Sequence, residues 1–207
     1  MNTILLNILT AATLLLTNPS GASTPAALSQ VSYSLSNRYA NSFVNNVFAD
    51  NILLTIAYLT GKVNKSAPVA WNTVKEEGSV RFSLKPGETF AFHDAVLDKY
   101  RNKVALTTNA HFNSSEGFKT DGWLVGDGVC HLASFMYVAA KKAGLEVEAP
   151  TSHDFAVIPN VEKKDGVSIF SENTLQNLYI TNNKESVIAF VFDYGNNTLN
   201  IRVEKVL

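Results

Sequence analysis

Apolar residues return along this chain at two spacings, and the change from one to the other marks out its elements. Over residues 41–60, Val44, Phe48, Ile52, Thr55, Ile56 and Leu59 recur near a 3.6-residue period, which predicts one long helix with a face to bury. Gly61 follows directly, where a helix end favours a left-handed residue. The polar positions hold asparagine rather than lysine, the pattern of a core-packing helix and not of one lying on a membrane surface. A second helix is predicted over 129–143: Val129, Leu132, Ala133, Met136, Ala139, Ala140 and Ala143 form one stripe, and Gly144 ends it. Elsewhere the period is two. Residues 80–84 and 89–93 flank the turn Lys85-Pro86-Gly87-Glu88 and predict a hairpin. Further strands are predicted over 145–149, 153–158, 165–170, 177–181, 186–194 and 198–206, with His153, Phe155 and Val157 on one face of the second of these. The expected fold class is α+β: an N-terminal helix and a central cysteine-bearing helix packed on a mostly antiparallel β-sheet.

Between these elements the signal weakens. Residues 62–80 are mixed, with Trp71 as a packing anchor, and 94–103 read as a short helix or turn. Residues 107–123 are polar and irregular but carry His111, Phe112, Phe118 and Trp123. Long irregular segments in compact domains are often functional, and this one precedes the cysteine, so it is expected to wall a cleft.

The N-terminus is different in kind. Residues 4–16 are an apolar run too short to span a bilayer comfortably, followed by the small residues Ser20-Gly21-Ala22; no lysine or arginine precedes the run. This predicts a cleaved signal peptide over 1–22, with an uncleaved anchor as the alternative, and an exported protein of the cell envelope or extracellular space, with no stable membrane span after cleavage. Residues 23–37 read as a linker, so the expected organisation is 1–22 signal, 23–79 linker and helical segment, and 80–207 the main domain. With 46% hydrophobic and 17% charged residues and a formal net charge of −1, the chain is globular, and neither nucleic acid nor an anionic membrane is an expected partner.

Chemistry enters with Gly126-Asp127-Gly128-Val129-Cys130-His131, which holds the only cysteine. A thiol at a helix N-terminus sees unpaired N–H groups and the positive end of the dipole, both of which favour thiolate. Cys130 lies roughly 130° from the centre of the apolar stripe at 100° per residue, which sets it off the core-facing side. His153 and Asp165 follow on predicted strands. Thiol attack on an amide needs a nucleophile, a proton shuttle and a carboxylate that holds the imidazole's tautomer, so Cys130, His153 and Asp165 are the candidate catalytic set. Their order resembles that of transglutaminase-like and papain-type enzymes. An inert buried cysteine, a core histidine and a turn aspartate are the structural alternatives. A zinc site built from Cys130, His153 and either His93 or His111 lacks any ligand-spacing motif, so no metal and no cofactor is expected.

Taken together, Leu84-Lys85-Pro86-Gly87-Glu88-Thr89-Phe90-Ala91-Phe92, Gly126-Asp127-Gly128-Val129-Cys130, Ala143-Gly144-Leu145-Glu146-Val147, His153, Ile158-Pro159 and Asp165-Gly166-Val167 resemble the VanW-like family, over roughly residues 80–185. The resemblance implies a bacterial cell-envelope protein, often exported, without a firmly established activity. It places Asp127, Gly128 and His131 at the substrate side of the cysteine and makes cell-wall peptide or peptidoglycan the expected partner. The family typically has three glycines before the cysteine and glutamine after it; here Asp127 takes the middle position and His131 replaces the glutamine. Two functions follow as expectations, a Cys-His-Asp thiol hydrolase or acyltransferase acting on cell-wall peptides and a non-catalytic module that binds peptidoglycan or a glycopeptide.

Overall fold

The computed structural model describes residues 27–65 and 68–206; the signal-peptide expectation for 1–22 lies outside them. In chain order the elements are β1 (Ala27–Ser34), α1 (Ser42–Leu59), α2 (Trp71–Val74), β2 (Gly78–Leu84), β3 (Thr89–Ala91), β4 (Val104–Leu106), α3 (Val129–Lys142), β5 (Glu146–Glu148), β6 (Tyr179–Thr181), β7 (Ile188–Gly195) and β8 (Thr198–Lys205). The fold is mixed α+β with mostly antiparallel sheet, as the pattern of periods predicts. No helix of the described residues is long and apolar enough to cross a membrane.

The strands form two four-stranded sheets, ordered β1-β8-β7-β2 and β4-β3-β6-β5, antiparallel except for β3 with β4. In the first sheet Asn196 and Asn197 take positive φ at the β7–β8 turn, and Leu199, Ile201 and Val203 of β8 are fully buried. Helix α3 covers that inner face. Tyr33 of β1 stacks on Phe135 at 3.7 Å, and the Ser29 hydroxyl donates to the Ala139 carbonyl at 2.7 Å.

Three sequence expectations are corrected. Residues 27–34 are not linker: they form β1, the edge partner of β8, paired from Ala27 with Glu204 to Ser34 with Thr198. Gln30 and Ser32 of this strand face outward while Ser29, Val31 and Tyr33 face α3, an alternation that the small residues around it obscure. The second correction is the hairpin. The turn at 85–88 exists, but β2 pairs with β7 and β3 with β6. Gly87 N–H donates to the Asn182 carbonyl, and Asn182 N–H donates to the Glu88 carbonyl, so the chain leaving the turn is claimed by the second sheet. The third concerns 153–158 and 165–170. Neither is a strand; one isolated bridge joins Ser152 and Val167. Phe155 and Val157, expected on one strand face with His153, are 71% and 86% exposed while His153 is buried.

Helix α1 is capped by Asn41, whose side chain accepts from the N–H groups of Phe43 and Val44. Every residue from Asp50 to Leu59 is buried, which makes it an internal helix rather than an amphipathic surface one. It packs on α3 within the same core as the sheets. The described residues of 27–74 are therefore part of the body that holds the cysteine.

Candidate functional site

The start of α3 is held by its neighbours more than by a cap. Gly128 occupies the N-cap position at φ +97° with no side-chain hydrogen bond, a conformation that L side chains rarely adopt. A Cβ there would lie 2.5 Å from the Phe48 carbonyl oxygen and 2.9 Å from its Cα, both in the backbone of α1. Asn51, fully buried on α1, ties down the loop before the helix. Its amide donates to the carbonyls of Lys119 and Asp127 at 3.0 and 2.9 Å, and its oxygen accepts from Lys119 N–H at 2.8 Å. Sequence reading missed Asn51, since on a helical pattern it counts only as a polar position; the mass of apolar neighbours around it is the one signal that it is buried.

Cys130 points where the helical wheel sets it, away from the sheet. That side is not free. The segment 165–169 runs along it and is stitched to α3 at three points, Cys130, Ser134 and Lys141. Ile169 N–H donates to the Cys130 sulfur at 3.4 Å, and the thiol lies 3.9 Å from the Ile169 carbonyl. Val167 N–H donates to the Ser134 hydroxyl at 2.8 Å. Lys141 pairs with the Asp165 carboxylate at 2.5 Å. Burial, the largest influence, pushes the thiol up to about 11, with the nearby Asp127 charge adding to it and the Ile169 backbone opposing it. Burial thus acts on the half-buried thiol against the thiolate expected of a helix N-terminus.

The histidine and the acid are not joined. His153 lies against Phe155, ring centroids 4.0 Å apart, and its Nδ1 faces the Ala156 carbonyl at 3.2 Å. The Asp165 carboxylate is spent on Lys141 and reaches His153 only through its neighbour, as His153 N–H donates to the Gly166 carbonyl at 3.0 Å. Burial holds His153 below its ordinary value, with the Ala156 carbonyl opposing the shift.

What the fold does gather is a cleft of about 880 Å³, lined by Asp127, Gly128, Cys130, His131 and His153 together with Arg38, Phe48, Phe155 and Ile169. Asp165 is not on its wall. The irregular stretch expected as one side supplies His111, Phe112, Asn113, Ser114 and Asp121. His131 stands edge-on to Phe48, 4.8 Å between centroids, and 6.4 Å from the His153 ring. Burial first, then the Arg38 and His153 charges, drives it down to about 3, so it is neutral. Burial and the Asp121 carboxylate push Asp127 up to about 6. The other histidines considered as metal ligands are engaged elsewhere: His93 is a fully buried residue bonded to Gln176 and Asn177, and His111 faces Asp94 and Glu116.

No curated protein and no solved structure matches this chain. A protein-family model, described as VanW like protein, matches residues 76–204. That span runs from just before β2 almost to the end of β8, more than half of the chain, and takes in the cysteine-bearing loop, α3 and all three histidines of the cleft. The chain belongs to the VanW-like family.

Proposed function

We propose that this is an exported bacterial cell-envelope protein whose cleft recognises a cell-wall peptide, within peptidoglycan or a glycopeptide, without turning it over. The observation that carries this reading is the cover over Cys130: residues 165–169 pack along its side of α3, and the burial raises the thiol, to about 11, against the Ile169 N–H that favours thiolate, so the nucleophilic form is disfavoured near neutral pH. The size of the cleft and its mixture of aromatic walls and polar groups suit a peptide-sized ligand. Export is supported by the N-terminal apolar run.

Thiol acyl transfer is the second reading, favoured by one observation. If His153 Nδ1–H donates to the Ala156 carbonyl, Nε2 is left as the basic nitrogen in the same cleft as Cys130. Cys130 sulfur would then attack an amide carbon as His153 takes the thiol proton and returns it to the departing amine, with the Ala156 carbonyl doing the orienting assigned to Asp165 from sequence. Alkylation of Cys130 by iodoacetamide across pH 6–11, run beside co-sedimentation with purified peptidoglycan, separates the two. A rate that keeps climbing through pH 10, with wall binding retained in Cys130→Ser, is the expected result. A reactive plateau near neutral pH, or release of new amines from the wall, overturns it in favour of catalysis.

A further inference from the structure

Arg38 is the most deeply buried charge among the described residues, at 1% exposure. The buried acids Asp50, Glu116, Asp165 and Glu204 each have a cationic partner, in Lys119, Lys65, Lys141 and Arg202. Arg38 has no acidic one among the described residues. Its Nη1 donates to the Pro159 carbonyl at 2.9 Å, and its Nη2 to the side-chain oxygens of Asn37 and Asn160 at 2.5 and 3.0 Å. Its guanidinium carbon sits 5.2 Å over the Phe135 ring. All of these are neutral groups, and Nε is left with no partner. Burial lowers the guanidinium's pKa from its usual value, yet arginine stays charged in proteins. A buried, unpaired charge is costly, and so is a buried donor with no acceptor. Both lie in the wall of the cleft.

Two further unpartnered atoms lie in the same lining: Nδ1 of His131, which is 5% exposed, and Oδ2 of Asp127; burial and Asp121 raise the Asp127 carboxyl to about 6, which weakens its claim on the Arg38 charge. Around the opening, Leu124, Phe155, Val157 and Phe170 are exposed apolar side chains on loops that border the cleft. The arrangement is a cationic floor under an apolar mouth.

We infer that the cleft takes a peptide-like ligand bearing a single carboxylate, which supplies the counter-ion Arg38 lacks and lies beside His131, while the apolar body of the ligand rests on Leu124, Phe155 and Val157. This rests on the peptide-recognition reading above and deepens it. A singly charged carboxylate matches one arginine next to a neutral histidine. A phosphate dianion does not: half its charge would go unmatched, with Asp121, Asp127 and Glu172 on the same walls. The apolar mouth likewise favours an organic acid over an inorganic anion.

The test varies the ligand before it varies the protein. Acetylated tripeptides ending in a free carboxylate and the same tripeptides ending in a carboxamide are titrated into the purified protein by calorimetry, with inorganic phosphate as competitor. The acids are expected to bind roughly ten- to a hundredfold more tightly than the amides, the range for a hydrogen-bonded charge, and phosphate is expected to displace neither. In Arg38→Gln the acids fall to the level of the amides. Should that variant not fold, the acid–amide ratio in the unaltered protein decides alone. Equal binding of acids and amides overturns the carboxylate anchor and leaves peptide recognition standing. Binding of neither overturns both, and efficient displacement by phosphate overturns the choice of carboxylate.

Discussion

Replacing Gly128 with alanine tests the junction on which the cleft is built. Two separate costs arise at this position. The backbone sits at φ +97°, and a non-glycine residue in a sparsely populated region of that kind loses about 1–3 kcal/mol. The new methyl group would also fall within 3.0 Å of the Phe48 carbonyl oxygen, Cα and carbonyl carbon. These are backbone atoms inside a buried helix and cannot swing aside as a side-chain tip would, so overpacking adds about 1–3 kcal/mol. Together the change costs about 2–6 kcal/mol, or roughly 4–24 °C in Tm for a chain of this size. Gly87→Ala is the matched control: φ is +79° but nothing lies within 4 Å of the added Cβ, so only strain of about 1–2 kcal/mol applies, roughly 2–8 °C. Thermal unfolding followed by far-ultraviolet circular dichroism measures both. If the two variants melt within a degree or two of each other, the close approach of α1 to the α3 N-terminus is refuted, and with it the account of why the residue before Val129 has no side chain.

His131→Gln, which restores the residue typical of the family, is expected to flatten the acid limb of the stability curve. His131 is held at about 3 in the folded chain against about 6.5 unfolded. Its contribution is therefore fully present above pH 6.5 and drains away as pH falls toward 3. Urea denaturation at pH 7, 5 and 4 should show the unaltered protein losing more stability than the variant, and parallel losses would sink the burial argument. Asp165→Asn should leave the alkylation rate of Cys130 at pH 9 unchanged, because the carboxylate pairs with Lys141 and not with His153; an order-of-magnitude fall would restore Asp165 to a catalytic role.

Local rules settled α1, α3 and the β7–β8 hairpin before any tertiary information was needed. A 3.6-residue stripe closed by Gly144 can bury its apolar face only as a helix, and a strand pair around Asn196-Asn197 needs no distant partner to define its register. The same rules identified the segment that carries the cysteine and the irregular stretch that walls its cleft. They also set Cys130 on the side of α3 away from the sheet, and the coordinates agree.

What sequence periodicity could not contain is which distant segment covers that side. The placement of 165–169 over Cys130 and Ser134 is fixed by backbone N–H groups that donate to side chains 33 and 39 positions away, and the burial it brings raises the pKa of a thiol expected to ionise readily. Arg38 and Asn51 are similar cases. A short polar segment and a polar position on a helix reveal nothing locally about burial, and their roles exist only once α1 is wedged against α3. Periodicity reports which face of an element must leave water. Desolvation, pairing of charges and access to a cleft depend on what arrives from elsewhere in the chain, and those set the chemistry of this site.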